Sequence, residues 1–290
     1  MAGIIDLVGN TPMVELTRLN TNKNVKIYAK LEGNNPGGSV KDRAALNMIK
    51  SALDRGDIKP GMRLIEATSG NTGIALAMMA RLFGLEIELI MPANSTRERT
   101  VTMEAFGAKV ILMDSIELCR DYAEEKGAES GYFLMNQFAN PDNYLAHYKT
   151  TGPEIWKDTA GSITHFVSSM GTTGSIMGNS MYLKEMNPEI QIIGCQPTEN
   201  SSIPGIRRWP AAYLPKIFDA SRVDQIIDIS QEEATDMTRK LAKVEGIFAG
   251  MSSGGAAFAA LKVAETLEKG VIVFIACDRG DRYLSTDLFG

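Results

Sequence analysis

What most restricts the fold of this chain is a unit that recurs: an apolar strand, a turn of glycines and small hydroxyl residues, then an apolar helix. Arg63 to Ala67 runs into the turn TSGNTG at 68–73 and the helix IALAMMARLF, which Gly84 closes. Ile163 to Ser169 runs into GTTGS at 171–175 and a helix from Ile176 to Met186, and FAGM leads SSGG at 252–255 into AAFAALKVAETLEK. A strand followed by a helix and another strand needs a crossover connection, which makes the sheet parallel and covers both its faces. EIELIMP, KVILM, Gln191 to Gln196, Val223 to Ile229 and VIVFIACD supply further strands, with helices from about Thr96 to Phe106 and Ser115 to Lys126 between them. The expectation is an α/β protein of two three-layer αβα domains with mostly parallel sheets.

At 290 residues, 44% of them hydrophobic, the chain is long enough for two cores. Residues 136–151, rich in Asn, break the alternation and read as a crossover between domains. Pro197 to Ser221, with four prolines and no periodicity, reads as a long functional loop. Ser230 to Glu233 forms a capping box that opens a helix ended by Gly246.

Composition narrows the chemistry. The balance of 30 basic and 35 acidic side chains, a net −5 without charged blocks, gives no footprint for nucleic acid. The opening MAGIIDLVGN lacks the basic and long apolar regions of a signal peptide, and no later apolar run reaches about 18 residues, so a soluble cytoplasmic protein is expected. Cys119, Cys195 and Cys277 are far apart and read as buried small hydrophobes, not as metal ligands or disulfides. With only His147 and His165, the latter in the apolar run ITHFVSSM, neither a histidine triad nor a multi-histidine metal site is well supplied. Acid-base work falls to lysine or to a cofactor, and no metal is expected.

The stretch NPGGSVKDR places one lysine unusually. Pro36, Gly37 and Gly38 make a turn, Ser39 stands at an N-cap, and Lys41 falls in the first turn of a helix over Val40 to Ala52. The positive end of the helix dipole disfavours a cation there and lowers its pKa. Lys41 is then either a nucleophilic lysine that holds an aldehyde cofactor as a Schiff base, or a solvated surface lysine. The three turns offer backbone N–H groups at helix starts, suited to an anion such as phosphate, though each is also a good cap or a site of close packing. No dinucleotide fingerprint with its acidic ribose partner and no P-loop is present. In an open parallel sheet these turns gather at the carboxyl ends of the strands, so that Lys41 and GTTGS together suit a phosphorylated aldehyde such as pyridoxal phosphate.

NPGGSVKDRAAL, EATSGNTGIALAM, SSMGTTGSIMG, SSIPGIRRWP, GIFAGMSSGGA and CDRGDRYLST together resemble the fold-type II, or β-family, pyridoxal phosphate enzymes, from GNTP at 9–12 to the C-terminus. SSIPGIRRWP resembles the type B O-acetylserine sulfhydrylases (cysteine synthases) in particular. The resemblance implies pyridoxal 5'-phosphate as cofactor, Lys41 as its Schiff-base lysine and proton-transfer base, and Asn71 as partner of its phenolic oxygen. It also implies Gly171, Thr172, Thr173, Gly174 and Ser175 as its phosphate cup, and Ser252, with Ser253 as the substitute, as partner of its pyridine nitrogen. Thr68, Ser69, Asn71 and Thr72 with Gln137 would clamp the substrate carboxylate. Ser175 stands where threonine is commoner, but a hydroxyl survives. The implied domains are a smaller mobile one over 41–145 and a larger one over 1–40 and 146–290, in a homodimer. After YLSTDLFG any C-terminal tail would be short or missing.

The implied reaction is β-replacement on O-acetyl-L-serine through an α-aminoacrylate, with sulfide giving L-cysteine or thiosulfate giving S-sulfocysteine. A serine partner leaves the ring nitrogen neutral, which favours loss of a β-leaving group over transamination. O-phosphoserine sulfhydrylase, serine/threonine dehydratase, cystathionine β-synthase and a non-catalytic binding module for another biosynthetic enzyme are the alternatives. Arg207 and Arg208 are either a solvated or ion-paired surface pair, or a receptor for an anion such as thiosulfate or the phosphate of O-phosphoserine.

Overall fold

The computed structural model describes residues 3–68 and 70–290 and has two sheets. The chain enters through β1 (Met13–Glu15) and β2 (Val25–Leu31), then α1 (Lys41–Arg55). Next come β3 (Arg63–Ala67), α2 (Asn71–Leu82), β4 (Glu86–Pro92), α3 (Arg97–Ala105), β5 (Lys109–Met113), α4 (Ile116–Gly127) and β6 (Tyr132–Leu134). These four strands pair in the order β5-β4-β3-β6, all parallel.

The second sheet takes strands from both sides of the first. After α5 (Pro141–Lys149) and α6 (Thr151–Asp158) come β7 (His165–Ser169), α7 (Gly174–Met186), β8 (Gln191–Pro197) and β9 (Gln225–Ile229). Then follow α8 (Gln231–Lys240), α9 (Met251–Thr266) and β10 (Gly270–Ala276). The sheet order is β1-β2-β10-β7-β8-β9, and only the β1–β2 pair is antiparallel. The α/β class and the mostly parallel sheets agree with the sequence reading. Among the described residues no helix is long and apolar enough to cross a membrane.

Burial explains why these segments are what they are. Helix α2, from Thr72 to Ala80, is inaccessible all round, which is why its sequence is apolar on every face and not amphipathic. Its core joins Met48, Ile49 and Leu64 to Leu76, Met79 and Leu89. The larger sheet packs Ile27, Val167, Ile193 and Phe274 against α9 on one side, and Phe166, Ile192 and Val273 against α7 on the other.

Residues 136–151, which read as an irregular crossover, are mostly helical. Asn140 caps α5 by accepting from the Asp142 N–H at 2.9 Å, and Pro141 takes the first helical position. Asn-Pro at a helix start was the available signal. Hydrophobic periodicity missed it because the buried face of α5 carries Asp142, Asn143 and His147. Other boundaries differ as well: SSGG lies inside α9, whose first residue is Met251, the strands read from Ile163 and Val223 begin at His165 and Gln225, and α1 runs on to Arg55. The three-residue β6 gave no sequence signal of its own.

Candidate active site

Each sheet has one point where its strand order reverses, between β3 and β6 in the smaller and between β7 and β10 in the larger. Ligands of open α/β sheets bind outside the strand carboxyl ends at such points. The residues that follow all four strands line one cleft of about 780 Å³: Thr68, Gly70, Asn71 and Thr72 after β3, and Gln137 and Phe138 after β6. Ser169, Gly171, Thr172 and Ser175 come from the end of β7 and the turn after it, and Cys277 follows β10. Lys41, Arg99, Ser252, Arg207 and Trp209 also line the cleft, with Val40, Ile116 and Gly205 between them.

Lys41 is the first residue of α1, its N–H donating to Ser39 Oγ at 3.2 Å. Val40 N–H donates to Cys277 O at 2.8 Å and Ser39 bridges Asp278, so the start of α1 is stitched to the exit of β10. The pKa of the Lys41 ammonium lies below its ordinary value, chiefly because of burial, with Asp278 pulling the other way. The sequence reading gave the direction but assigned it to the helix dipole. Among the described residues the ammonium makes no ion pair or hydrogen bond.

The turn after β3 is organised by Thr68, whose Oγ1 accepts from the Gly70 and Gly73 N–H groups at 3.1 Å each. Ser69 lies outside the described residues. Asn71 opens α2, and its Nδ2 donates to Asp278 Oδ2 at 2.7 Å while Arg282 donates to its Oδ1. Thr72 Oγ1 donates to Gln137 Oε1 at 2.7 Å, joining the turn after β3 to the loop after β6.

At the turn after β7 a backbone cradle forms. Thr173 adopts φ +70°, a left-handed conformation rare for a β-branched residue, and its buried Oγ1 has no hydrogen-bond partner among the described residues. A Cβ on Gly171 would lie 2.7 Å from Gly205 O, and one on Gly174 2.1 Å from Asn143 Oδ1. Thr172 Oγ1 accepts from Asn143 Nδ2 at 3.1 Å, and Ser175 Oγ sits 3.2 Å from Nε2 of buried His147. Burial holds His147 well below its ordinary pKa, so its imidazole is neutral. Thr173 and Gly174 are not themselves among the cleft-lining residues; they form the start of α7 behind it.

Ser252 and Ser253 divide their work. Ser253 Oγ accepts from Cys277 N–H at 2.8 Å, whereas Ser252 lines the cleft and its carbonyl accepts from Ser169 Oγ at 2.6 Å. The arginine pair also splits. Arg207 lines the cleft, and burial lowers its pKa. Arg208 turns away, donating to Pro197 O at 2.9 Å and pairing with Asp228 at 2.5 Å. Of the two readings open for this pair, Arg208 has the ion-paired position and Arg207 the one that faces the cleft.

Sequence reasoning missed Ser169, Phe138, Trp209, Asn143 and Cys277. Trp209 Nε1 donates to Gly171 O at 2.7 Å and its ring meets Phe138 edge-on at 5.4 Å, which moors the long loop over the turn after β7. Cys277, read as a core residue, is only partly buried and faces the cleft. Burial pushes its thiol up to about 12. The signal that could have found these residues is position: Ser169 ends a strand, and Cys277 and Phe138 follow strands at the reversal points.

The model of the pyridoxal-phosphate dependent enzyme family matches residues 4–278. Cysteine synthase B of Pseudomonas aeruginosa is 60% identical over 99% of this chain and 97% of its own length. Cysteine synthase B of Escherichia coli is 56% identical over 100% and 97%. Among solved structures, O-acetyl serine sulfhydrylase isoform 3 of Entamoeba histolytica superposes with a TM-score of 0.93 at 39% identity, covering 100% of this chain and 91% of that one.

The residues present fit such a cofactor. The start of α7, the hydroxyls of Thr172 and Ser175 and a Thr173 hydroxyl with no partner among the described residues suit a phosphate, and a buried lysine of lowered pKa, without an ion pair among the described residues, suits an aldehyde. With Lys41, Gly171, Thr172 and Ser175 on one cleft and the start of α7 behind it, and the family model matching almost its whole length, the chain belongs to the pyridoxal-phosphate dependent enzymes, with pyridoxal 5'-phosphate as its cofactor.

Proposed function

We propose that this chain makes L-cysteine from O-acetyl-L-serine and sulfide, or S-sulfocysteine from thiosulfate, with Lys41 as the residue that holds the cofactor and moves the Cα proton. The observation that carries this reading is Lys41 itself, without an ion pair among the described residues and of lowered pKa, in one cleft with Thr68, Gly70, Asn71 and Thr72 and with Gly171, Thr172 and Ser175. Pyridoxal phosphate supplies an electron sink that acidifies the Cα–H of an attached amino acid and eases loss of a β-substituent.

Lys41 would hold the aldehyde carbon and, once displaced by the substrate amine, take the Cα proton on Nζ; burial disfavours its ammonium form and lowers its pKa. Gly171 to Ser175 would hold the phosphate, Asn71 the phenolic oxygen and Ser252 the ring nitrogen. A hydroxyl at Ser252 leaves that nitrogen neutral. Thr68, Ser69, Asn71, Thr72 and Gln137 would bind the substrate carboxylate, and Arg207 an anionic sulfur donor.

The same reading takes residues 41–145 as a smaller domain that closes on substrate, supported by a four-stranded sheet whose strands all fall between Arg63 and Leu134. It includes a homodimer, as the family resemblance implies, and the cytoplasmic setting expected from the sequence. Borohydride reduction and mass analysis of Lys41→Ala should show no cofactor adduct, and turnover should fall to background. Substantial residual turnover would overturn the assignment.

A further inference from the structure

Glu66 is buried in β3, two residues before Thr68, and the reaction above gives it no part. Its carboxyl faces the backbone and side-chain N–H groups of Gln137, with the Ala67 N–H as a further donor. Gln137 N–H donates to Oε2 at 3.1 Å, and Gln137 Nε2 approaches Oε1 at 3.4 Å while donating to Ala67 O at 2.7 Å. The opposite end of that amide, Oε1, accepts from Thr72 Oγ1 at 2.7 Å.

An amide has one donor end and one acceptor end. Flipping Gln137 would turn its oxygen onto the buried Ala67 carbonyl, which has no proton to give, and would take the amide N–H away from Glu66. The Ala67 carbonyl therefore sets the sense of the amide, Glu66 holds Gln137 beside it through the backbone N–H and the edge of the amide, and the direction of the Thr72 hydroxyl follows from the amide.

We infer that Glu66 is a positioning residue for the amino-acid substrate's carboxylate, acting through the orientation of the Gln137 side chain and the Thr72 hydroxyl. The inference rests on the proposal that Gln137 and Thr72 contact that carboxylate. Its electrostatics are consistent: burial pushes the Glu66 carboxyl up to about 8, against the Gln137 N–H groups and the Arg120 charge, which lower it. A carboxyl that is mostly neutral near pH 7 brings little negative charge beneath a turn that must receive one.

The test is a double-mutant cycle on the holoenzyme, measuring KM for O-acetylserine and kcat for Glu66→Ala, Gln137→Ala and the double variant, with Glu66→Gln as a stand-in for the neutral acid. Glu66→Ala should raise KM roughly tenfold, the worth of one oriented buried hydrogen bond, with kcat within about threefold. Glu66→Gln should stay within about threefold of wild type, and Glu66→Ala should add less than about twofold in the Gln137→Ala background.

Additive effects, or an unchanged KM in Glu66→Ala beside a raised one in Gln137→Ala, would overturn the inference and leave the reading of Gln137 standing. An unchanged KM in Gln137→Ala would overturn both. If Glu66→Ala does not fold, Glu66→Asp, which draws the carboxyl back from Gln137, enters the same cycle with the same expectations.

Discussion

The guanidinium of Arg43 forks onto the carboxylate of Glu32, Nε to Oε2 at 2.7 Å and Nη2 to Oε1 at 2.9 Å, with both side chains buried. Arg43 stands two residues beyond Lys41 in α1, and Glu32 follows β2, so the pair ties the lysine-bearing helix to the larger sheet. Removing one partner strands a buried charge. Arg43→Met should therefore destabilise the protein by about 3–5 kcal/mol, read from urea unfolding midpoints at constant m-value.

The same guanidinium reaches Glu154 at 2.6 Å, which also pairs with Lys30 at 2.9 Å. Burial would raise the Glu154 carboxyl, but the Arg43 hydrogen bonds and charge outweigh it and hold the pKa at about 2. A depressed pKa gives stability that is present above the unfolded carboxyl value and is lost as pH falls toward the folded one. Unfolding free energy should thus drop between about pH 4.5 and 2, and Glu154→Gln should flatten that part of the profile.

Arg207 and Arg208 are adjacent in sequence but part company in space. Arg207→Ala should raise the KM for thiosulfate about tenfold, the usual worth of a charge-assisted hydrogen bond, and change that for sulfide little. Arg208→Ala removes a surface pair with Asp228 and should cost under about 1 kcal/mol of stability. Steady-state assays with both sulfur donors check this, and equal losses with both in Arg207→Ala would sink the anion role.

Helices α5 and α7 cross where Gly178 meets the backbone of the other helix. A Cβ at 178 would lie 2.0 Å from Tyr144 O and 2.7 Å from the His147 Cβ. Gly178→Ala should cost at least about 2 kcal/mol, since rigid backbone must move, and should weaken cofactor retention because His147 touches Ser175. Thermal unfolding and the cofactor absorbance after dialysis give the two readouts.

Much of the fold was legible because strand, small-residue turn and helix each leave a local mark. A parallel sheet covered on both faces demands apolar strands and apolar helices, and Lys41, Asn71 and the turn at 171–175 sit where those elements meet. Helix α5 was not legible, since it buries Asp142, Asn143 and His147, whose hydrogen-bond partners lie elsewhere in the chain. Its Asn-Pro start was the one local cue.

Sequence alone determined the alternation, the turn chemistry and the lysine at a helix start, because backbone conformation and side-chain polarity act over a few residues. Only the tertiary structure decided which residues share the cleft. It separated Arg207 from Arg208 and Ser252 from Ser253, and brought Glu66 under Gln137 across 71 positions. Partners that far apart are chosen by strand order and packing, and neighbouring residues point in different directions, to opposite faces of an extended chain and about 100° apart round a helix.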